Sequence, residues 1–255
     1  MSKETVQEIK KQLEIVTTLQ DDLLRHYQQD DRKGVQNAIK ATIRRLEKQE
    51  ALRQHFDDMS VFENKARMEG YQVIAGIDEV GRGPLAGPVV ACAIVLPMNF
   101  DLIEVNDSKQ LSGKKRDELY DKILSVALAV GIGMKDEHVI DRVNIYEATK
   151  LAMLEAVDNL SLTPDKLLID AMTLPVPISQ EKIIKGDARS LSIACASIVA
   201  KVTRDRMMAA YDEQYPGYGF AKNAGYGTKE HLDGLNQLGI CPIHRQSFAP
   251  IKDMI

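Results

Sequence analysis

The sequence predicts an α/β protein, a mixed sheet with helices on both sides, preceded by a helical N-terminal hairpin. Two apolar runs rich in β-branched residues, 73–77 and 89–96, read as buried strands separated by one turn-like stretch. Further compact runs at 166–171 and 182–186 alternate with long segments of helical periodicity, which suits neither a clean doubly wound sheet nor an all-β fold. Ahead of them, apolar residues recur every three or four positions over 4–26 and again over 35–56, with the polar stretch QDDRKG between, the pattern of an antiparallel αα-hairpin.

In the first helix Ile9, Leu13, Val16, Leu19 and Leu23 share a face; in the second, Val35, Ile39, Ile43, Leu46, Leu52 and Phe56 do. Charge separates between them: residues 3–31 hold seven acidic and four basic residues, residues 32–55 seven basic and two acidic. Lys40, Arg44 and Lys48 fall at i, i+4 spacing with Arg45 and Arg53 nearby, a basic stripe. It reads as an auxiliary duplex-binding arm, as the solvated face of a packing unit, or as a surface that pairs two chains. The boundary falls near 57–60, giving a hairpin extension over 1–58 and a second domain over 59–255. Ser60 and Glu63 have the spacing of a capping box, and Gly70 suits the end of the helix they would open.

Asp78 and Glu79 follow the first strand. Successive strand residues point to opposite faces, so neither carboxylate is easily placed where the strand has a core on both sides, and the pair belongs at an opening. Gly81 and Gly83 bracket Arg82 and free the backbone for close approach to a ligand, and Gly87-Pro88 re-enters the next strand. The stretch reads as an acidic turn with a Gly-Pro loop, or as a metal site beside a phosphate-recognition element.

Asp107, Ser108 and Lys109 then form a loop, and Ser112 caps a helix whose Leu119, Ile123 and Leu124 face inward. Residues 125–135 read as a third strand, its glycines marking a bulge or a close approach, and the short link between the first two strands favours an antiparallel start. Residues 137–160 and 190–211 read as two long helices, and the proline-marked LPVPISQ as a loop between the compact strands. Asp170 ends one of those strands; Asp187 stands where the other gives way to a helix. Strand ends of this kind are where open α/β sheets bind ligands. Taken singly, Asp170 also reads as a turn residue and Asp187 as a helix N-cap.

If Asp78, Glu79, Asp170 and Asp187 converge, their charges repel, by roughly 1 kcal/mol for two at about 4 Å even in bulk water. Divalent cations would balance them, and an all-oxygen ligand set selects Mg²⁺ or Mn²⁺. No zinc-like His and Cys spacing occurs; His231 and His244 read as surface or structural residues, with His231 also a candidate neighbour of substrate. Cys92, Cys195 and Cys241, odd in number and far apart, read as reduced, buried thiols. A charged N-terminus and the lack of any apolar run of spanning length exclude a signal peptide and a membrane helix, so a cytoplasmic protein is expected. The net charge of -4 gives no global basic footprint, and the absence of tryptophan argues against stacking surfaces for single-stranded nucleic acid.

The motifs DEVGRGPLAGPVV from Asp78, DSKQLS at 107–112, LLIDA at 167–171, KGDARSLSIACASIVAKVTRD at 185–205 and GYGTKEH at 225–231 resemble, in order, those of type 2 ribonuclease H, ribonuclease HII. The resemblance covers residues 60–250 and implies a ribonuclease H-like five-stranded mixed sheet. It also implies a metal-dependent endonuclease with two Mg²⁺ or Mn²⁺ ions about 3.5–4 Å apart, acting on RNA–DNA hybrid or on ribonucleotides embedded in duplex DNA and leaving 5′-phosphate and 3′-hydroxyl ends. By position, the family's metal-binding acids map onto Asp78, Glu79, Asp170 and Asp187. Its Gly-Arg-Gly element maps onto Gly81, Arg82 and Gly83, and its cooperating tyrosine onto Tyr226. Backbone amides at 81–83 would read the 2′-hydroxyl. Lys109 and Lys201, the latter one helical turn after Ser197, are candidate phosphate contacts or ordinary surface charges. Ribonuclease HIII is a rival with a different residue between the glycines and a sheet-containing N-terminal domain; a catalytically inert hybrid-binding module is the other. The C-terminal SFAPIKDMI packs on the body or serves a partner.

Overall fold

The computed structural model describes residues 4–255; residues 1–3, including the Lys3 of the charge count, lie outside the described residues. The chain forms two compact units, Met1–Asp57 and Asp58–Ile255.

In the first unit α1 (Val6–Glu14), α2 (Asp22–Tyr27) and α3 (Lys33–Met59) replace the expected two-helix hairpin. The first predicted helix breaks because Ile15, Val16, Thr17 and Thr18 are β-branched and Asp21 starts a new helix, its carboxylate accepting from the Leu23 amide. Apolar spacing continues across that break, as Val16 and Leu24 stay buried with Ile9, Leu13, Val35, Ile39 and Leu46. Arg45 turns inward to the carbonyls of Leu13 and Val16 (3.3 and 2.7 Å), so it is not part of the expected basic stripe. Lys40, Arg44 and Lys48 are exposed.

The second unit opens with α4 (Val61–Met68), where Ser60 makes no side-chain cap. Glu63 is instead buried, one carboxylate oxygen accepting from the Ser190 and Ser192 hydroxyls (2.6 Å each) and the Ser192 amide (2.9 Å). Five strands follow: β1 (Ile74–Val80), β2 (Val89–Val95), β3 (Ala129–Lys135), β4 (Lys166–Asp170) and β5 (Ser179–Ile183), in the order β3-β2-β1-β4-β5. The β3-β2-β1 ladder is antiparallel, and β4 and β5 add to β1 in parallel. Asp78 and Glu79 thus belong to β1 itself rather than to a turn beyond it. β3 starts later than predicted because α5 (Gly113–Val126), capped by Ser112, runs on through its first residues. β5 lies earlier than predicted and takes in part of the proline-marked loop.

The predicted helix over 137–160 is two, α6 (Glu137–Val143) and α7 (Ile145–Asp158). Asn144 breaks it in a left-handed conformation (φ 70°), and its side chain caps α7 through the Tyr146 and Glu147 amides. α7 covers one sheet face, its Ala148, Ala152, Met153 and Ala156 packing with Ala75, Ile77, Ala91, Ala93, Leu167 and Ile169. Gly131 and Gly133 allow this approach, since a Cβ at either would collide with the α7 backbone. The other face is covered by α8 (Leu191–Gln214), with Ile193 against Ile74, Leu168 and Ile183. Beyond it, α9 (Phe220–Asn223) and α10 (Lys229–Leu238) build a smaller cluster around Tyr218, Phe220 and Leu235. Ile251 of the C-terminal stretch is buried in that cluster, so this end of the chain packs on the body. All three cysteines are free; Cys92 and Cys195 are buried and Cys241 is half-buried. No described helix is long and apolar enough to cross a membrane.

Candidate active site

The strand register brings the acids together. Ile77 pairs with Ile169 on parallel β1 and β4, so Asp78 and Asp170 come next on neighbouring strands, at the same carboxyl end. Both point to the α8 side, as their alternation with Gly76 and Leu168 requires. β5 ends beside Asp170, and Asp187 sits just past it in a short 3₁₀ turn, Gly186–Ala188. Ser190, not Asp187, is the N-cap of α8. The carboxyl ends of three parallel strands therefore supply all four predicted acids.

Carboxylate oxygens of Asp78, Glu79 and Asp170 all lie within 4.8 Å of one another. Asp187 stands outside that cluster and accepts from Lys109 Nζ at 2.7 Å. Asp78 is only 4% exposed, and its carboxylate accepts from the Glu79 amide at 2.8 Å and from Ser197. Burial pushes its carboxyl well above the ordinary range, and the charges of Glu79 and Asp170 push it further. Burial also raises Glu79, against the opposing pull of Arg82, whose Nη1 is 3.3 Å from Glu79 Oε1. Burial raises Asp170 as well, offset in part by the Gly186 amide donating to its Oδ1 at 2.6 Å.

Glu79 Oε2 is buried with no hydrogen-bond partner among the described residues. A buried carboxylate oxygen left this way costs stability unless a cation takes its lone pairs. The donor set is all oxygen, so the site fits a hard divalent ion and not a zinc-like one. Asp78, Glu79 and Asp170 line a cleft of about 180 Å³ together with Ser108, Lys109, Arg116, Ser197, Lys201 and Tyr226. Lys201, paired with Asp205 at 2.6 Å, keeps the predicted side of α8 with Ser197. Gly83 is exposed beside Tyr226: a Cβ added there would stand 3.4 Å from the Tyr226 ring.

A family model described as Ribonuclease HII matches residues 75–251. The chain belongs to the ribonuclease HII family. A second model, the ribonuclease HII N-terminal domain, matches residues 5–67. The ribonuclease HII of Enterococcus faecalis is 59% identical over 255 residues, 100% of both chains, and that of Leuconostoc mesenteroides 57% over 252 residues, 99% of both. Among solved structures, the ribonuclease H2 from Pyrococcus horikoshii OT3 aligns with a TM-score of 0.63 at 26% identity, covering 72% of this chain and 97% of that one. These relatives identify an endonuclease of the ribonuclease H type, and they set aside the ribonuclease HIII alternative.

Several pairings around the ribonuclease HII site were not legible from sequence, and of the two histidines read as surface or structural, with His231 also a candidate neighbour of substrate, both turn out buried and structural. Ser108 and Ser197, 2.9 Å apart, join the loop before α5 to α8, and Arg116 donates to the Ser108 and Leu111 carbonyls. His231 and His244, both buried, meet Nε2 to Nε2 at 2.9 Å. The Cys241 amide can only donate, so His244 Nδ1 accepts from it and His244 Nε2–H donates to His231, whose Nδ1–H is left to donate to the Tyr226 carbonyl at 3.0 Å. His231 therefore supports the loop that carries Tyr226 from behind. The motifs that hold Ser108, Ser197 and His231 do not themselves tell which distant residue each side chain will meet.

Proposed function

We propose that the chain hydrolyses the RNA strand of RNA–DNA hybrids and cuts at ribonucleotides embedded in duplex DNA, using Mg²⁺ or Mn²⁺ and leaving 5′-phosphate and 3′-hydroxyl ends. The observation that carries this is the convergence of Asp78, Glu79 and Asp170, with an unpartnered Glu79 oxygen, in a cleft also lined by Tyr226, whose ring stands beside Gly83. Asp78, Glu79 and Asp170 hold the cations, and Asp187 joins them once Lys109 is drawn away towards a phosphate. When bound, divalent ions activate a water nucleophile and screen the charge of the phosphate. Lys109, Lys201 and the Arg82 guanidinium position the backbone of the cut strand. The amides of residues 81–83 read the 2′-hydroxyl, and Tyr226 packs on the neighbouring sugar. For the first unit we propose an auxiliary role in holding duplex through Lys40, Arg44 and Lys48.

Cleavage of end-labelled hybrid, of duplex DNA with one ribonucleotide and of all-DNA duplex tests this reading. The first two are cut, chelation stops the cutting, and Mg²⁺ or Mn²⁺ restores it. Binding of hybrid without cleavage under every metal condition would instead make the chain an inert hybrid-binding module.

A further inference from the structure

The loop over residues 81–88, which joins β1 to β2, turns its carbonyls inward onto two arginines that have no accessible surface. Arg245 donates from Nε and Nη2 to the Gly87 carbonyl (3.0 and 2.7 Å), from Nη1 to the Arg82 carbonyl (2.9 Å), and from Nη2 to that of Gly81. Arg204, on α8, donates to the carbonyls of Pro88 (2.8 Å), Ala86 (3.0 Å) and Ala224 (2.8 Å). Neither guanidinium is ion-paired with a carboxylate among the described residues. A buried cation without a counter-charge costs several kcal/mol, and here only peptide dipoles offset it. Burial lowers Arg204 to about 10 and Arg245 to about 9, which leaves both charged at neutral pH.

So costly an arrangement does something a neutral side chain would not. In a trans peptide the carbonyl and the following N–H point in opposite directions. With the Gly81 and Arg82 carbonyls fixed inward, the Arg82 and Gly83 amides point outward, and neither donates a hydrogen bond to another described residue. Gly81 has φ 92°, and a Cβ there would collide with Arg204, so a side chain at this position would dislodge the guanidinium. Through Ala224 the same Arg204 grips the start of the loop that carries Tyr226, and the Leu85 amide bonds to Gly225 at 2.8 Å. The two loops are thereby fixed to one another, with Gly83 against the Tyr226 ring.

We propose that Arg204 and Arg245 are positioning residues for ribose discrimination: a buried pair of guanidinium forks that sets two outward amides and the Tyr226 ring around a single sugar of the bound strand. The proposal rests on the reading of the cleft as a hybrid-cleaving site. Arginine is required because its planar fork meets several carbonyls at fixed angles, whereas a lysine ammonium keeps the charge and loses the fork.

Arg204→Lys and Arg245→Lys in the full chain test it. For each, the KM of duplex DNA with one ribonucleotide is compared with the inhibition constant of the same all-DNA duplex as competitor, and the melting temperature is recorded with and without Mn²⁺. The discrimination ratio should fall about tenfold, mostly through KM, as a lost pair of oriented hydrogen bonds would give. The Mn²⁺-induced rise in melting temperature should persist, because the carboxylates are untouched. A merely structural role would lower the melting temperature and leave the ratio of the folded variants unchanged, which overturns the proposal. Amide exchange in the wild-type chain can still overturn the proposal if neither variant folds. The Arg82 and Gly83 amides should gain protection from the ribonucleotide duplex and not from the all-DNA duplex; equal protection by both overturns the proposal. If the wild-type chain cut neither hybrid nor the ribonucleotide duplex, the hybrid-cleaving reading itself would fail, a result separate from either of these.

Discussion

Asp78 concentrates the electrostatic problem of the site. It is almost wholly buried, close to two other carboxylates, and makes no ion pair with a basic side chain among the described residues. With Asp78, Glu79 and Asp170 all raised from their ordinary values, chiefly by burial, the folded chain holds protons that the unfolded chain releases from about pH 4 upward. Their contribution to stability is therefore fully present below that pH and declines as the pH rises through the folded values. A divalent ion held by these carboxylates would reverse the decline. Mn²⁺ or Mg²⁺ should accordingly raise the melting temperature more at pH 8 than at pH 5.5. Asp78→Asn should raise the metal-free melting temperature at pH 8 and remove most of the metal-induced increment. Calorimetric scans of both proteins at the two pH values check this, and an equal increment in the variant would contradict it.

At the scale of elements, α10 and the turn before His244 brace the Tyr226 loop through neutral imidazoles. Burial lowers both rings, and the neighbouring His231 helps bring His244 down to about 4. A depressed histidine contributes stability that is present above the unfolded value of about 6.5 and lost as pH falls towards the folded one. Melting temperature should thus drop between pH 6.5 and 4.5 more steeply in the wild type than in His244→Phe, and parallel profiles would count against the relay. β1, β2, β4 and the acids at their ends were legible in the sequence because apolar runs, a Gly-Arg-Gly turn and strand-end carboxylates are local signals. The breaks before Asp22 and at Asn144 were not, because apolar spacing runs through both and outweighs their local marks, a β-branched run with the Asp21 cap in the first and the Asn144 cap in the second. Glu63 was read as a local cap, yet its partners lie far along the chain at Ser190 and Ser192. Arg204 and Arg245 escaped for the same reason: buried polar groups are defined by tertiary partners, and arginine in a helix or loop is unremarkable by itself.

For the whole molecule, an acidic chain that handles nucleic acid needs local basic surface, since the net charge is -4. Lys40, Arg44 and Lys48 offer three exposed cations on one helix face, without Arg45, which serves α1 instead. If each meets a phosphate, replacing all three by glutamine should flatten the log-log salt dependence of duplex binding by up to about 2.7 units, roughly 0.9 per contact, with turnover nearly unchanged. An unmoved slope, measured by titration across salt concentrations, would leave this face as ordinary solvated surface. The central claim, that carboxylates at the ends of three parallel strands hold the ions that cut RNA, is tested most directly by cleavage of an RNA–DNA hybrid in Mg²⁺ by purified wild type, Asp78→Asn and Asp170→Asn. Both variants should stay folded and lose cleavage by at least about a thousandfold, some 4 kcal/mol of transition-state stabilisation. Either variant cutting the hybrid at the wild-type rate would contradict it.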